Sequence, residues 1–234
     1  MNNHKIAAEF GTLATPQICD ACVHLDLPVR VAPAGIRPLN LDSHIAGRAL
    51  PAQHYGSVEI FLEAFLEAKW GDVLVIDDGG STDAAPVGDL IAAEAHGHGL
   101  AGMVIWGTHR DTKQILEIGF PTFSYGAVPV GPSLKRRPKE PLASAKFGKQ
   151  QVSHDDIVFA DADGVVFVAM EHVEAVLDQA REIREAEEAH VTLVREGRTL
   201  LEQFRFAAYV EQRLNEPKYT FREHLRSVGG TIEE

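Results

Sequence analysis

The stretch VLVIDDGGSTDAAPVGDLIAAEAHGHGLAGMVIWGTHRD, residues 73–111, decides the fold. It begins with a continuous apolar, mostly β-branched run at residues 73–76, which is typical of a strand covered on both faces. A polar, glycine-bearing loop follows, and a helix is predicted from Gly88-Asp89 to the His-Gly-His-Gly sequence at residues 96–99. Residues 101–106 then predict a second buried strand. This alternation of strand and helix favours an α/β layer fold.

The same alternation continues on both sides of this stretch. Upstream, apolar residues recur at helical spacing with glutamates between them, which predicts an amphipathic helix. Downstream, a glycine closes the next helix before another short strand, and two five-residue runs flank an acidic turn. The predicted elements are a helix at residues 57–69, a helix at 112–118 capped by Gly119, a strand at 121–125, and a β-hairpin formed by 156–160 and 165–169.

The C-terminal quarter of the chain has a different composition. It is rich in charged residues with helical periodicity, which predicts helices over residues 171–196 and 198–214. We therefore expect residues 1–170 to form the main domain and residues 171–234 to form a helical C-terminal extension, used in subunit contacts.

Composition excludes several classes of function. With 22 Lys+Arg against 34 Asp+Glu, the net charge is −12, which repels phosphate backbones and makes nucleic acid an unexpected partner. The basic run at residues 135–139 lies among prolines and is predicted to be an exposed loop. The first residues lack the order of a secretion signal, and no stretch approaches the roughly 18 apolar residues of a membrane span. We expect a cytoplasmic chain without a membrane partner.

Two cysteines, Cys19 and Cys22, lie three residues apart. Such a pair suggests a redox couple or half of a metal site, but a second ligand pair of the same kind is missing from the sequence. Thr15-Pro16 predicts a helix start, with Thr15 as the cap and proline at the first helical position. The two thiols would then share one helical face, and the alternative interpretation is a pair of small buried side chains.

The candidate site combines two loops that follow the strands of the opening stretch. Ligands collect outside the carboxyl ends of strands in α/β sheets, where helix N-termini also present free backbone N–H groups. The first loop ends at Gly88-Asp89-Leu90-Ile91, and the second contains Arg110-Asp111. Arg110 offers a planar cation for a carboxylate, and Asp111 offers a hard oxygen ligand for Mg²⁺ or Mn²⁺. The alternative interpretation is an exposed salt-bridging arginine with an aspartate that caps the next helix.

These motifs together resemble a known family. Gly88-Asp89-Leu90, a helix, the Gly-Leu-Ala-Gly-Met-Val segment at residues 99–104, and then Arg110-Asp111 are similar to the 4-hydroxy-4-methyl-2-oxoglutarate / 4-carboxy-4-hydroxy-2-oxoadipate aldolases of the RraA-like superfamily. The resemblance covers residues 15–170. It implies an α/β, layered α-β-β-α RraA-like (swivelling βαβ) fold. RraA proteins proper, which bind and inhibit an RNA-degrading endonuclease, lack a complete version of this motif.

The resemblance also implies an activity and a role for each site residue. The activity is divalent-metal-dependent cleavage of a 4-hydroxy-2-oxo acid to pyruvate and a second 2-oxo acid, with oxaloacetate decarboxylation as a side activity. Asp111 would ligate Mg²⁺ or Mn²⁺, and Arg110 would hold the 2-oxo acid end. Asp89 would orient a metal-bound water for proton transfer, and residues 88–91 would supply backbone donors. Further groups would come from a neighbouring subunit, so a homotrimer or homohexamer is implied.

Several residues near the motif depart from the family pattern. Trp106 and His109 flank the Arg-Asp pair, and His98 stands where an arginine is expected. His96, His98 and His109 could act as acid–base groups near neutral pH, although helix capping and loop packing are the more common roles. The competing function is a non-catalytic regulator that binds a ribonuclease or another protein. A methyltransferase is disfavoured because Gly79-Gly80 lacks the dinucleotide-fold glycine spacing.

Overall fold

The computed structural model describes residues 1–229, which fall into two compact units, one of residues Met1–Leu177 and one that begins at Asp178. The predicted division lies between residues 170 and 171. Helix α6 starts just after that position and runs through the boundary between the two units. No helix within the described residues is both long enough and apolar enough to cross a membrane.

The first unit contains ten strands and five complete helices among its described residues. In chain order these are α1 Asn3–Phe10, α2 Thr15–His24, β1 Arg30–Val31, β2 Arg37–Pro38, β3 Ile45–Gln53, α3 Glu59–Glu67, β4 Val73–Asp77, α4 Asp89–Gly97, β5 Gly102–Trp106, α5 Thr112–Ile118, β6 Thr122–Ser124, β7 Ser144–Phe147, β8 Gln150–Ser153, β9 Asp156–Ala160 and β10 Val165–Ala169. A short 3₁₀ helix, Met170–His172, precedes α6, Val173–Arg195.

Eight strands form one curled sheet in the order β1-β10-β9-β3-β4-β5-β6-β2. Strands β3, β4, β5 and β6 run parallel, as expected where a helix connects each strand to the next. The remaining pairings are antiparallel, including the predicted hairpin, in which Val165 lies opposite Ala160. A separate two-stranded sheet, β7-β8, packs against β3.

The two faces of this sheet bury different sets of side chains. Helices α3, α4 and α5 cover the outer face of the parallel half, where Leu74, Ile76, Met103 and Ile105 are buried. Val75, Val104 and Phe123 point to the inner face, which the sheet closes with the β7-β8 hairpin. Helix α1 contacts β3 and α2 contacts β10, so helices also lie outside the antiparallel half. The result is the predicted α-β-β-α layering.

Most elements of the first unit were predicted, but two local details were wrong. The predicted cap of α2, Thr15, is its first helical residue, and Ala14 occupies the cap position. The Thr15 hydroxyl instead donates to Asp161 Oδ1 at 2.7 Å, because the acidic turn after β9 lies beside the helix start. The apolar residues whose spacing predicted α3 are only partly buried. Phe61 and Phe65 are buried, whereas Leu62, Leu66 and Val58, the residue before the helix, are exposed. Ile60 and Ala64 complete the buried face.

The second unit is helical, as predicted, but it contains a break that the sequence did not indicate. Instead of one helix over residues 198–214, there are two, α7 Leu200–Gln203 and α8 Phe206–Asn215. Arg205 separates them with φ 47°, a left-handed conformation that no helix interior allows. A further helix, α9 Phe221–Val228, begins at Thr220 with a capping box to Glu223. Residues 230–234 of the predicted extension lie outside the described residues.

Candidate active site at the carboxyl edge of the sheet

The parallel strands bring the predicted loops together at one edge. β4 ends at Asp77, which lies opposite Trp106, the last residue of β5. Beyond these strand ends, Val87 pairs with His109, and His109 pairs with Ala127, each through a parallel bridge. Three loops that are distant in sequence are therefore joined side by side at the carboxyl edge, where ligands bind in α/β proteins.

Arg110 and Asp111 lie in the middle of this joined set. The Arg110 N–H donates to the Val87 carbonyl at 2.9 Å, which places the dipeptide next to the start of α4. Asp111 has φ 59° and ψ 40°, a left-handed conformation that costs a non-glycine residue about 1–3 kcal/mol. Such a cost persists only where the surroundings fix the backbone, and the Arg110 bond together with the Ile115 N–H donated to the Asp111 carbonyl does so.

The Asp111 carboxylate does not have the helix-capping role that was the alternative interpretation. Asp111 occupies the cap position of α5, yet its side chain makes no capping hydrogen bond within the described chain. Its Oδ2 lies 3.4 Å from Arg110 Nε, and both side chains are partly exposed, at 37% and 45%. The carboxylate thus lies beside Arg110 and Gly88 without capping α5, and it is partly accessible to solvent.

Gly88 provides the close approach between the two loops. A Cβ atom at this position would lie 2.2 Å from Asp111 Oδ2 and 3.1 Å from Arg110 Nε. Its φ of −133° is open to any residue, so the backbone conformation does not require glycine here. Glycine is required here because the Arg110 and Asp111 side chains fill the volume that any larger residue would need.

The rest of the predicted loop lies directly beyond Gly88. Asp89 is the first residue of α4, and its Oδ1 accepts the Leu90 N–H at 2.8 Å. One of the expected backbone donors is therefore already occupied by Asp89. The Leu90 side chain is 79% exposed, whereas Ile91 is buried against the helical layer. The structure thus brings Gly88, Arg110 and Asp111 into contact and places Asp89 and Leu90 immediately beside them.

His109 is buried between the loops, and its hydrogen bonds give it a structural role. Its Nδ1 lies 2.7 Å from Ser124 Oγ, and its Nε2 lies 2.9 Å from Thr112 Oγ1. Burial lowers the pKa of the imidazole, and the nearby Asp111 charge opposes that shift in part. With both ring nitrogens engaged, His109 joins β6 to the start of α5.

The other flagged residues lie away from the Arg-Asp pair. Side chains alternate along a strand, so Trp106 points with Val104 to the inner face and packs against Phe147. His96 and His98 lie at the C-terminal end of α4, opposite the end that carries Gly88. His98 stacks on Phe65 with ring centroids 5.1 Å apart. Neither histidine belongs to the carboxyl edge.

One buried pair at this edge was missed by sequence analysis. His54 follows β3, Asp78 follows β4, and His54 Nδ1 lies 2.7 Å from Asp78 Oδ1. The Gly56 N–H is donated to His54 Nε2 at 3.2 Å, so both ring nitrogens have hydrogen-bond partners. Asp78 also packs against Gly107. Its one sequence signal was its place in a polar loop that core packing does not require.

The cysteine pair lies in surroundings that disfavour the thiolate form, which is the reactive and metal-binding form. Cys22 is buried, Cys19 is partly buried, and both are reduced thiols. Burial, followed by the neighbouring Cys22 and acidic side chains, raises the pKa of Cys19 to about 11. A thiol with such a pKa stays protonated at neutral pH and is a poor nucleophile or metal ligand.

The edge fits a divalent cation held by one carboxylate. In the part of the chain that the structure describes, no three His, Cys, Asp or Glu side chains are grouped to hold a metal ion. Mg²⁺, however, is commonly bound through one or two carboxylates, with water and substrate oxygens as the other ligands. Asp111 is a partly exposed carboxylate without a capping bond, and it lies beside Gly88 at the start of α4.

These features define a mixed α/β protein whose curled, half-parallel sheet carries a polar site at its carboxyl edge. A family model described as Aldolase/RraA, of the RraA-like family, matches residues 15–167. The chain belongs to the RraA-like family.

Relatives and solved structures agree with this assignment. A Halalkalibacterium halodurans protein named "Putative 4-hydroxy-4-methyl-2-oxoglutarate aldolase" is 31% identical over 182 residues, which cover 77% of this chain and 84% of that protein. A Dechloromonas aromatica protein of the same name is 30% identical over 156 residues, covering 66% and 95%. The solved structure of Streptomyces coelicolor RraAS2 superposes with a TM-score of 0.68 at 23% identity, over 80% of this chain and 97% of that chain. Its title describes RraAS2 as an unusual member of the RNase ES inhibitor RraA protein family. The chain therefore has the RraA-like fold with a C-terminal helical extension.

Proposed function

We propose that this protein is a divalent-metal-dependent lyase that cleaves the carbon–carbon bond next to the pyruvate unit of a 4-hydroxy-2-oxo acid. A substrate of this class is 4-hydroxy-4-methyl-2-oxoglutarate, which would yield two pyruvate molecules, and oxaloacetate decarboxylation would be a side activity. The observation that carries the proposal is the contact of Gly88, Arg110 and Asp111 at the carboxyl edge. The names of the two relatives support the choice of substrate class.

The reaction needs stabilisation of negative charge on the pyruvate half. Cleavage of the C3–C4 bond moves an electron pair onto C3, which gives an enolate, while the C4 hydroxyl loses its proton and becomes the second carbonyl. Arg110 supplies a fixed planar cation that can donate two hydrogen bonds to the carboxylate of the 2-oxo acid. Its exposed guanidinium at the edge is available for this contact.

The neighbouring groups would contribute a metal ligand, backbone donors and a proton-transfer group. Asp111 would hold Mg²⁺ or Mn²⁺, which when bound supplies Lewis acidity to the 2-oxo acid oxygens. The N-terminal turn of α4, residues 88–91, carries the positive end of a helix dipole and would face the substrate carboxylate in this proposal. Asp89, the first residue of that helix, is the proposed group that orients a water molecule for proton transfer.

A pyruvate-release assay tests this proposal. Purified protein is incubated with a panel of 4-hydroxy-2-oxo acids and oxaloacetate, with Mg²⁺ or Mn²⁺ and again with EDTA. We expect pyruvate release that EDTA abolishes and added metal restores. Arg110→Ala and Asp111→Ala should each lower kcat/KM by on the order of 10²–10³, the usual cost of losing a charge-stabilising group.

Lys113→Ala is the matched control for the two site variants. Lys113 is a charged, 84% exposed residue on α5 that pairs with Glu117 and lies two positions after Asp111. Its removal should leave kcat/KM unchanged. Full activity in either site variant would refute the site assignment. Absence of turnover with every compound, together with recovery of a stable ribonuclease complex, would favour the regulator function instead.

A further inference from the structure

A loop without helix or strand crosses the carboxyl edge of the sheet above the candidate site. We define residues 126–135 as the crossing segment. At one end the Val128 N–H donates to the His109 carbonyl at 2.8 Å. At the other end the Lys135 N–H donates to the Tyr55 carbonyl at 2.7 Å, just beyond β3. The segment therefore spans from the β5 and β6 side of the edge to the β3 side.

The middle of the crossing segment lies against the Arg110 side chain. A Cβ atom at Gly131 would lie 3.0 Å from Arg110 Nη1. On its other flank Arg110 meets Gly88, where a Cβ would lie 3.1 Å from Nε and 3.2 Å from Cγ. The arginine side chain thus passes between two glycines, one from the start of α4 and one from the crossing segment.

The backbone on both sides of Gly131 is held in place. Ala85 donates its N–H to the Val130 carbonyl at 2.8 Å, directly before the glycine. Two residues after it, the Ser133 carbonyl lies so close to Gly56 that a Cβ there would be 2.1 Å from it. A side chain added at position 131 could not push the segment away without breaking these contacts. The flexible end of Arg110 would have to move instead.

We propose that Gly131 is a positioning residue that sets the orientation of the Arg110 guanidinium, and hence how the substrate carboxylate is held. This inference rests on the proposed function for its catalytic consequence. The absence of a side chain at position 131 leaves room for the guanidinium next to the crossing segment. Gly131 has no positive φ that would reserve the position for glycine, so alanine fits the backbone.

Gly131→Ala tests the proposal through activity. The methyl group meets only the mobile end of one side chain, so the thermal unfolding temperature should stay within a degree or two. Displacement of a substrate-binding group by a fraction of an ångström should lower kcat/KM by roughly tenfold, mainly through a higher KM. Gly97→Ala is the matched control, because a Cβ there meets nothing within 4 Å and the backbone needs no positive φ.

A double-mutant cycle with Arg110→Lys shows whether the effect passes through the guanidinium. Lysine has no Nη1 atom, so adding G131A to the R110K protein should change kcat/KM less than about twofold, because the two mutations act on one contact. Equal tenfold losses in both backgrounds would overturn the positioning role. So would full activity of Gly131→Ala in an enzyme whose wild type is active.

A second measurement needs no turnover. The Arg110 Nε–H resonance in an NMR spectrum of the full chain, assigned by its loss in R110K, should shift in G131A and remain unmoved in G97A. An unmoved resonance in G131A overturns the inference whether or not the wild type releases pyruvate. A shifted resonance in a chain without lyase activity would support the positioning role and refute the proposed function.

Discussion

At the scale of single residues, the candidate site depends on the absence of a side chain at Gly88. The carboxylate of Asp111 and the guanidinium of Arg110 occupy the space in front of Gly88, and Asp111 accepts a strained left-handed backbone to reach it. A side chain at position 88 would compete directly with the group that is proposed to bind the metal.

Gly88→Ala is therefore expected to weaken metal binding without unfolding the protein. The new methyl would start 2.2 Å from Asp111 Oδ2, so the carboxylate must turn away, whereas the backbone at φ −133° accepts alanine. We expect a loss of about 10–100-fold in Mn²⁺ affinity, comparable with the loss of a group that orients a ligand. Titration calorimetry with Mn²⁺ measures this. Unchanged affinity would show that Asp111 is not the ligand.

The residues of this site divide by how far the sequence could identify them. Arg110 and Asp111 were identifiable because they lie in the loop that follows the buried strand β5, which ends at Trp106, and strand ends are where loops converge. The face of the sheet to which Trp106 points could not be identified from the sequence. Alternation along β5 divides its side chains between two faces, but the packing of the neighbouring helices determines which face is which. Gly131 and the His54–Asp78 pair were also missed, because their contacts depend on the paths of loops distant in sequence.

At the scale of elements, helix α1 packs on the sheet through buried Ile6 and Phe10, and one polar side chain adds hydrogen bonds to the sheet. Asn3 Nδ2 donates to Asp72 Oδ1 at 2.8 Å and to the Trp70 carbonyl at 2.9 Å. Its Oδ1 accepts the Arg48 N–H from β3 at 2.9 Å. Asp72 is fully buried and also binds the Arg48 guanidinium, so Asn3 completes a buried charged pair.

Asn3→Ala should loosen α1 and destabilise the first unit. Three hydrogen bonds are lost, two of which involve a partly buried charge or strand backbone, and we expect the free energy of unfolding to fall by about 2 kcal/mol. Hydrogen exchange of the Arg48 amide, which Asn3 protects, should accelerate. Lys5→Ala is the control: Lys5 also lies on α1, but its ammonium pairs with Glu174 at the surface, 3.8 Å away, so Arg48 exchange should not change. Equal exchange in both variants would contradict the role of Asn3.

Element boundaries show why some predictions were confirmed and others were wrong. Helix α5 matches its predicted range, because Gly119 ends it with φ 73°, a conformation that glycine adopts without strain. Helix α3 has apolar residues on two adjacent faces, so periodicity alone could not determine which face is buried. At Arg205 the sequence has no glycine or proline that would indicate the end of a helix, so the prediction of a single helix was wrong there.

At the scale of the whole molecule, the proposed site within one chain has few protein ligands for a metal. Asp111 is a single carboxylate, and residues 1–229 place no group of three metal-binding side chains together. The family resemblance implies that a neighbouring subunit supplies further groups. We therefore expect the active species to be a homotrimer or homohexamer, with each site completed by a second chain.

Dilution tests this expectation, because a site shared between chains disappears when the chains separate. Sedimentation velocity should show a trimer or hexamer at micromolar chain concentration, and specific activity at saturating Mg²⁺ should fall as dilution populates the monomer. The decline should follow the monomer fraction and should reverse on concentration. Activity per chain that stays constant while the monomer comes to predominate would mean that one chain holds a complete site. Water and substrate oxygens would then have to supply the metal ligands that Asp111 does not.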